Sequence, residues 1–116
     1  MIDYLKIGET EYPVKYGLNA LALYCDEVGI KLGELDKIGG PTTSLMDLIR
    51  LAYWGLKDGA RAEGKPFEMS VENVADLLDE DPSGLIVKIV DIFKKQFIGN
   101  PQKPAKKSAG KSRSTT

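Results

Sequence analysis

A chain of 116 residues, 42% hydrophobic and 28% charged, can build one modest core and little more. One cysteine and no histidine exclude an internal disulfide, a zinc site, a Ser-His-Asp triad and a Cys-His pair. The net charge of −1 hides an acidic body, −6 over residues 1–98, and a basic end, +5 over 99–116; such a body lacks the basic footprint with which a folded surface grips nucleic acid. No apolar run approaches the roughly 20 residues that span a bilayer. Asp3 and Lys6 stand where a secretion signal needs a basic start and an apolar run, so the expectation is a cytosolic chain.

Met1 to Tyr16 reads as a β-hairpin. Ile2, Tyr4 and Lys6 alternate with Asp3, Leu5 and Ile7, Gly8-Glu9-Thr10-Glu11 supplies the turn, and Tyr12, Val14 and Tyr16 form one face of the return strand. Pro13 has no N–H to give a ladder, which places this strand at an edge or interrupts its pairing. A two-stranded ribbon is barely stable alone, so it must lie on helices or pair with another copy. Tyr12, Val14 and Tyr16 are therefore the candidate self-association residues, by strand addition.

Gly17 ends the strand, and Leu18 to Val28 reads as a helix with Leu18, Leu21, Ala22, Cys25 and Val28 inward, Tyr24 flanking, and Gly29 as the stop. Cys25, beside Asp26 and Glu27, is read as a small buried hydrophobe rather than a reactive thiol. Ile30 to Thr43 is a connector with a short turn at Leu32–Leu35. Its Gly39-Gly40-Pro41 has neither the spacing nor the lysine of a phosphate loop.

Ser44 to Arg61 is the longest amphipathic segment. With Thr43 or Ser44 as its cap, a turn of about 100° per residue lines up Leu45, Leu48, Ile49, Ala52 and Leu56. Gly59 and Ala60 continue that stripe with residues small enough for close approach. Trp54 points nearly opposite Leu45, among Asp47, Arg50, Asp58 and Arg61, with Leu51 at the edge. Either a second layer of this protein covers it or another molecule does.

Glu63-Gly64-Lys65-Pro66 makes a turn and Phe67 plugs into the core. Ser70 caps a short helix, Val71 to Asp79, that turns Val71, Val74, Ala75 and Leu78 inward. Asp81 as N-cap and Pro82 at the first position start a last helix reaching about Ile98. Its Leu85, Ile86, Ile89, Val90, Ile92, Phe93 and Phe97 cover roughly 160°, an arc wide enough either for burial between two layers or for an apolar strip left to a partner. From Gly99 the composition turns to Asn, Pro, Gln, Lys, Ser, Gly, Arg and Thr, too poor in apolar side chains to offset the entropy of ordering. Lys103, Lys106, Lys107, Lys111 and Arg113 make it either a solubilising tail or a loose contact for an acidic partner or nucleic acid.

The expected architecture is α+β and mostly α: an N-terminal β-hairpin on a small bundle of about four helices in one domain, 1–98, followed by a disordered basic tail, 99–116. The carboxylates Asp76, Asp79, Glu80 and Asp81 are accounted for by solvent exposure and capping, and they lack the alternating ligands, central glycine and closing glutamate of a calcium loop. No catalytic residue, metal or cofactor is assigned, and a non-enzyme is expected.

Three stretches suggest a family. Tyr12-Pro13-Val14-Lys15-Tyr16-Gly17-Leu18-Asn19-Ala20-Leu21, Leu51-Ala52-Tyr53-Trp54-Gly55-Leu56-Lys57-Asp58-Gly59-Ala60-Arg61 and Val74-Ala75-Asp76-Leu77-Leu78-Asp79-Glu80-Asp81-Pro82 resemble, in order and spacing, the tail assembly chaperones of long, non-contractile-tailed phages and prophages. The resemblance spans about residues 3–98 and leaves out the basic tail. It implies a protein that coats and solubilises the aggregation-prone tape-measure protein during tail morphogenesis and helps recruit tail-tube protein. It further implies a homo-oligomer in the cytoplasm of the bacterial host, absent from the mature virion. In many such phages a ribosomal frameshift adds a C-terminally longer form of the same protein, and Lys106-Lys107 is compatible with a slippery run of adenines.

The residues themselves suggest where a partner sits: Arg50, Leu51 and Trp54 on the central helix, with Arg50 stacked on the indole, and Val90, Phe93 and Phe97 on the last. Two other classes compete. A structural tail component, such as a tube or completion protein, needs far more β-structure than one hairpin, and a small nucleic-acid-binding regulator must work through the basic tail against an acidic body.

Overall fold

Two antiparallel strands, β1 (Asp3–Ile7) and β2 (Thr10–Val14), precede four helices: α1 (Leu18–Val28), α2 (Leu45–Ala62), α3 (Val71–Leu78) and α4 (Pro82–Phe97). The computed structural model of the protein describes residues 2–98, so the tail expected to be disordered lies outside the described residues. The hairpin-on-helices architecture is the one expected, and its boundaries fall within a residue or two of those read from the sequence.

The strands turn on Gly8-Glu9, with Gly8 at φ +63°, a conformation that suits a two-residue hairpin turn and costs glycine nothing. The register pairs Ile7 with Thr10, Leu5 with Tyr12, Tyr4 with Pro13 and Asp3 with Val14. Antiparallel pairs alternate between bonded and non-bonded, and counting from the turn puts Tyr4–Pro13 at a non-bonded pair. The missing N–H of Pro13 therefore faces away from β1 and the ladder loses nothing. Leu5, Ile7 and Val14 are buried beneath the ribbon.

β2 and the residues that follow it pack tightly on α2. A side chain on a helix leans toward the N-terminus and covers the turn before it. Gly55 and Gly59 have no side chain, so the carbonyls of Leu51 and Gly55, one turn earlier, stand uncovered. Each takes a second hydrogen bond from the chain that crosses there: the Tyr16 hydroxyl donates to Leu51 O (2.9 Å) and the Lys15 N–H to Gly55 O (3.0 Å). A Cβ on Gly59 would overlap the Pro13 carbonyl, and one on Gly55 the Tyr16 ring. The close approach expected at Gly59 and Ala60 is thus real, but it is centred on Gly59 and Gly55.

The Ser44 hydroxyl caps α2, accepting from the Asp47 N–H (3.1 Å). Its buried face, Leu51, Ala52, Gly55, Leu56, Asp58, Gly59 and Ala60, is broader than the expected stripe and shifted toward the C-terminus; Leu45 is 63% exposed. β2 packs on the second half of the helix, at Gly55 and Gly59. In α1 the buried side chains are Ala20, Leu21 and Tyr24, a rotation from the expected arc that leaves Leu18 and Ala22 exposed. The Tyr24 hydroxyl donates to Asp47 O (3.0 Å), and seating that large ring fixes the rotation. Burial pushes the phenols of both Tyr16 and Tyr24 well above the ordinary tyrosine range. Gly29 stops the helix in the left-handed region, its N–H on Cys25 O. Burial, with Glu34 nearby, pushes the Cys25 thiol up, which suits a packing residue.

The connector does more than connect. It forms a 3-10 turn over Leu32–Lys37 and buries Leu35 and Ile38. A reciprocal Ser70–Asn73 capping box starts α3, and Asp81 caps α4 with Pro82 in its first turn. The wide arc of α4 divides: Leu85, Ile89 and Phe93 are buried, while Ile86, Val90, Ile92 and Phe97 are half-buried. Phe93 meets Tyr16 edge to face at 5.4 Å.

Gln96 closes the structure. Its carbonyl oxygen accepts from the Tyr16 N–H (2.8 Å), and its amide nitrogen donates to Val14 O (3.1 Å) and to the Asp3 carboxylate (2.9 Å). Lys95 holds the other Asp3 oxygen at 2.6 Å. Partial burial raises the Asp3 pKa, but these bonds and the Lys95 charge together outweigh it and hold the carboxyl below its usual value.

Two predictions follow from this packing. Glycine to alanine inside a helix ordinarily gains up to about 1 kcal/mol of propensity. At Gly59 the obstacle is backbone that cannot swing aside, so Gly59→Ala loses about 1–3 kcal/mol, whereas Gly33→Ala, with open space around it, stays within about 0.5 kcal/mol of the wild type; urea unfolding measures both. A lowered carboxyl stabilises the fold above its unfolded pKa of about 3.9, and this stabilisation is lost as pH falls through the lowered folded value. The wild type is accordingly more stable than Asp3→Asn at pH 6, and the gap closes on acidification below about pH 4, as thermal unfolding across that range will record.

Candidate partner-binding surface

The pairing of α1 with α2 places every polar group around Trp54. The first turn of a helix leaves N–H groups without partners, and Gly17, at the N-cap of α1, has no side chain to supply one. Asp58 of α2 does so from outside: its Oδ2 accepts from the Gly17 N–H (3.0 Å), while Oδ1 accepts from Arg61 Nη2 (2.8 Å) and Nε (3.2 Å). Asp58 is the buried charged residue of the described fold. A carboxylate at a helix N-terminus is favoured by the helix dipole as well as by the bond.

One turn earlier on α2, the Trp54 indole N–H donates to Glu27 of α1 (2.8 Å), and the second Glu27 oxygen lies 3.5 Å from Arg50 Nε, an ion pair without a hydrogen bond. The half-buried ring carries Lys57 over its face at 5.2 Å and Tyr53 at its edge at 4.9 Å. Trp54 is therefore covered in part by Glu27 of α1 and by Lys57, and open where α1 and α2 part. There a shallow hollow of about 90 Å³ forms between the helices, lined by Asn19, Leu23, Trp54, Lys57 and Arg61 among others. Leu23 is 46% exposed at its margin, and Leu18, five residues earlier and about 140° round the axis of α1, is 87% exposed.

The candidate residues named from the sequence do not form one surface. Leu51 and Phe93 are fully buried and are corrected to core: Leu51 lies under the second layer that α1 and Tyr16 add, and Phe93 packs on Tyr16. Arg50 is turned toward Glu27, and Lys57 takes the place over the indole that Arg50 was expected to fill. Val90 lies against the Gly39 backbone, and Phe97 stacks on Phe93 at 5.5 Å, both half-buried. The strand-addition residues fare similarly. Val14 and Tyr16 are buried, and α2 lies along the outer edge of β2 at Pro13 and Lys15, so that edge is occupied from within; Tyr12 remains half-exposed. Of the nine, Trp54 alone sits in the hollow.

Leu18, Leu23, Glu27 and Lys57 were missed. Leu18 and Leu23 flank opposite sides of the true buried arc of α1, and the signal that finds them is the apolar excess of that helix once Tyr24 is taken as its inner centre. The acidic residues Asp76, Asp79, Glu80 and Asp81 are exposed and spread over the α3–α4 junction. No helix among the described residues is long and apolar enough to cross a membrane. No protein-family model, no curated protein and no solved structure matches this chain.

The two polar ties rank differently. Asp58→Ala strands the Gly17 N–H and costs about 1–3 kcal/mol; Asp58→Asn, which keeps an acceptor, costs less. Trp54→Phe removes one partly exposed bond and costs about 0.5–1.5 kcal/mol. Equilibrium urea unfolding gives the order.

Proposed function

We propose that this chain is a tail assembly chaperone of a long, non-contractile-tailed phage or prophage. It binds the tape-measure protein as that chain is made, keeps it in solution, and helps bring tail-tube subunits to it, acting as a homo-oligomer in the host cytoplasm and leaving the particle before completion. The reading rests on the resemblance of the three stretches. Its support from the fold is that two of them, Tyr12–Leu21 and Leu51–Arg61, are the two sides of the tight contact between the hairpin's exit and α2, so the resembling residues are those on which the architecture depends.

The observation that carries the reading is the outer face of α1. Leu18 and Leu23 stand exposed at its two margins, either side of Ala22 and Asp26, with Trp54 beside Leu23 and Lys57 and Arg61 on the rim. A partner helix laying apolar side chains at positions i, i+3 and i+4 along that face buries them against α1 and Trp54, and its acidic residues meet the basic rim. This replaces Leu51 and Phe93 with Leu18 and Leu23 in the proposed partner-binding set.

Co-expression tests it. The wild type is expected to hold tape-measure protein in the soluble fraction and co-purify with it, and Leu18→Asp/Leu23→Asp to lose at least about tenfold of that yield while unfolding within about 0.5 kcal/mol of the wild type. Undiminished recovery with the double variant rejects this face; no recovery with the wild type rejects the function. Mass spectrometry of purified particles separates the reading from a structural tail component, which persists in them.

A further inference from the structure

We infer that the outer edge of β1 pairs with the same edge of a second copy of this chain. The two strands run antiparallel about a twofold axis at Leu5 and join the hairpins into one continuous sheet. The register decides which backbone groups are available for this. Asp3, Leu5 and Ile7 stand at bonded pairs with Val14, Tyr12 and Thr10, so the N–H and C=O groups of Tyr4 and Lys6 point away from β2. They have no backbone partner among the described residues. The other edge of the hairpin is spent on α2, with the Lys15 N–H on Gly55 O and the Pro13 carbonyl against Gly59. Strand addition, expected at Tyr12, Val14 and Tyr16, therefore has β1 as its edge.

An open edge by itself invites any strand, and two features select this chain's own. The first is overlap. With Leu5 opposite Leu5 of the second copy, all of Asp3–Ile7 lies against itself. Tyr4 of each copy then faces Lys6 of the other, and each such pair exchanges both of its hydrogen bonds. The contact repeats on either side of the axis, as a twofold interface requires. It also relieves the marginal stability of a two-stranded ribbon.

The second feature is charge. Directly opposite residues share a face of the sheet, and Tyr4 and Lys6 are both exposed on the face away from buried Leu5. The Tyr4 hydroxyl donates to the Glu63 carboxylate, so Lys6 of the second copy meets an aromatic ring backed by an acid. Within its own hairpin Lys6 stands opposite Glu11. The lysine is thus flanked by complementary groups on both sides. A register centred on Lys6 sets lysine against lysine and is rejected. Lysine on an edge strand ordinarily deters pairing; here it deters strands that do not offer what Tyr4 and Glu63 offer.

Sedimentation of the full chain alone, with nuclear Overhauser contacts measured between labelled and unlabelled copies, tests the pairing. The wild type is expected to dimerise and to show a contact between the Tyr4 and Lys6 amides of different copies. Lys6→Pro removes an outward N–H and leaves the hairpin ladder whole, as Pro13 does. It is expected to raise the dissociation constant at least about tenfold. The proposal is overturned if the wild type stays monomeric up to about 1 mM, if a folded Lys6→Pro associates as the wild type does, or if the Tyr4–Lys6 contact is missing from the wild-type dimer. Where Lys6→Pro does not fold, that contact alone decides. The pairing gives a geometry to the oligomer of the chaperone reading without resting on it. A dimer that fails to hold tape-measure protein in solution rejects only that reading, and a monomer that succeeds rejects only the pairing.

Discussion

The fold depends on two uncovered carbonyls. A helix normally hides its backbone from lateral approach, each side chain shielding the turn before it. Where Gly55 and Gly59 interrupt that cover, the Tyr16 hydroxyl and the Lys15 N–H bond directly to α2, and the adjacent Gly17 N–H reaches Asp58 from the same helix. Three consecutive residues are thus fastened to one helix at three points about a turn apart, Gly55, Leu51 and Asp58. That fixes the angle at which the hairpin leaves, the point at which α1 begins, and the direction in which α1 turns its faces.

Much of this was legible because it is local. Gly29 after Val28, Ser44 before Leu45, Ser70 before Val71 and Asp81-Pro82 are helix stops and starts with a mechanism, and all four stand where the sequence places them. The errors lie where rotation about a helix axis is decided by a distant partner. Leu18 belongs to a plausible apolar stripe on α1, yet seating Tyr24 against Asp47 turns that stripe aside. Leu51 reads as a margin residue on a single amphipathic helix and becomes core because a second element crosses there. Gly55 and Asp58 carry the hub, and neither has a periodic signature; a glycine in a helix and an acid near its end look ordinary until the crossing chain is known.

The same displacement redraws the interaction surface. The sequence points to a partner at Trp54, which lies opposite the apolar stripe of α2, and at the wide apolar arc of α4. The hairpin and α1 cover much of that surface, and α1 itself brings Leu18 and Leu23 to the surface. Trp54 sits at the junction of both accounts: Glu27 and Lys57 hold its edge and one face, while its remaining surface lines a hollow with Leu23. Its role is therefore double, a tie between two helices and a wall of the site beside them.

Gln96 has a consequence in time as well as in space. The groups it joins belong to residues 3, 14 and 16, so the last turn of the last helix completes the first element made. During synthesis, which proceeds from the N-terminus, the hairpin and the start of α1 exist before the side chain that secures them has been added. Until then the Tyr16 N–H lacks the acceptor that Gln96 brings. A chain cut short before residue 96 keeps all the pieces of the hub and lacks its latch, so the fastening of the hairpin to α4 is among the last contacts that synthesis can complete.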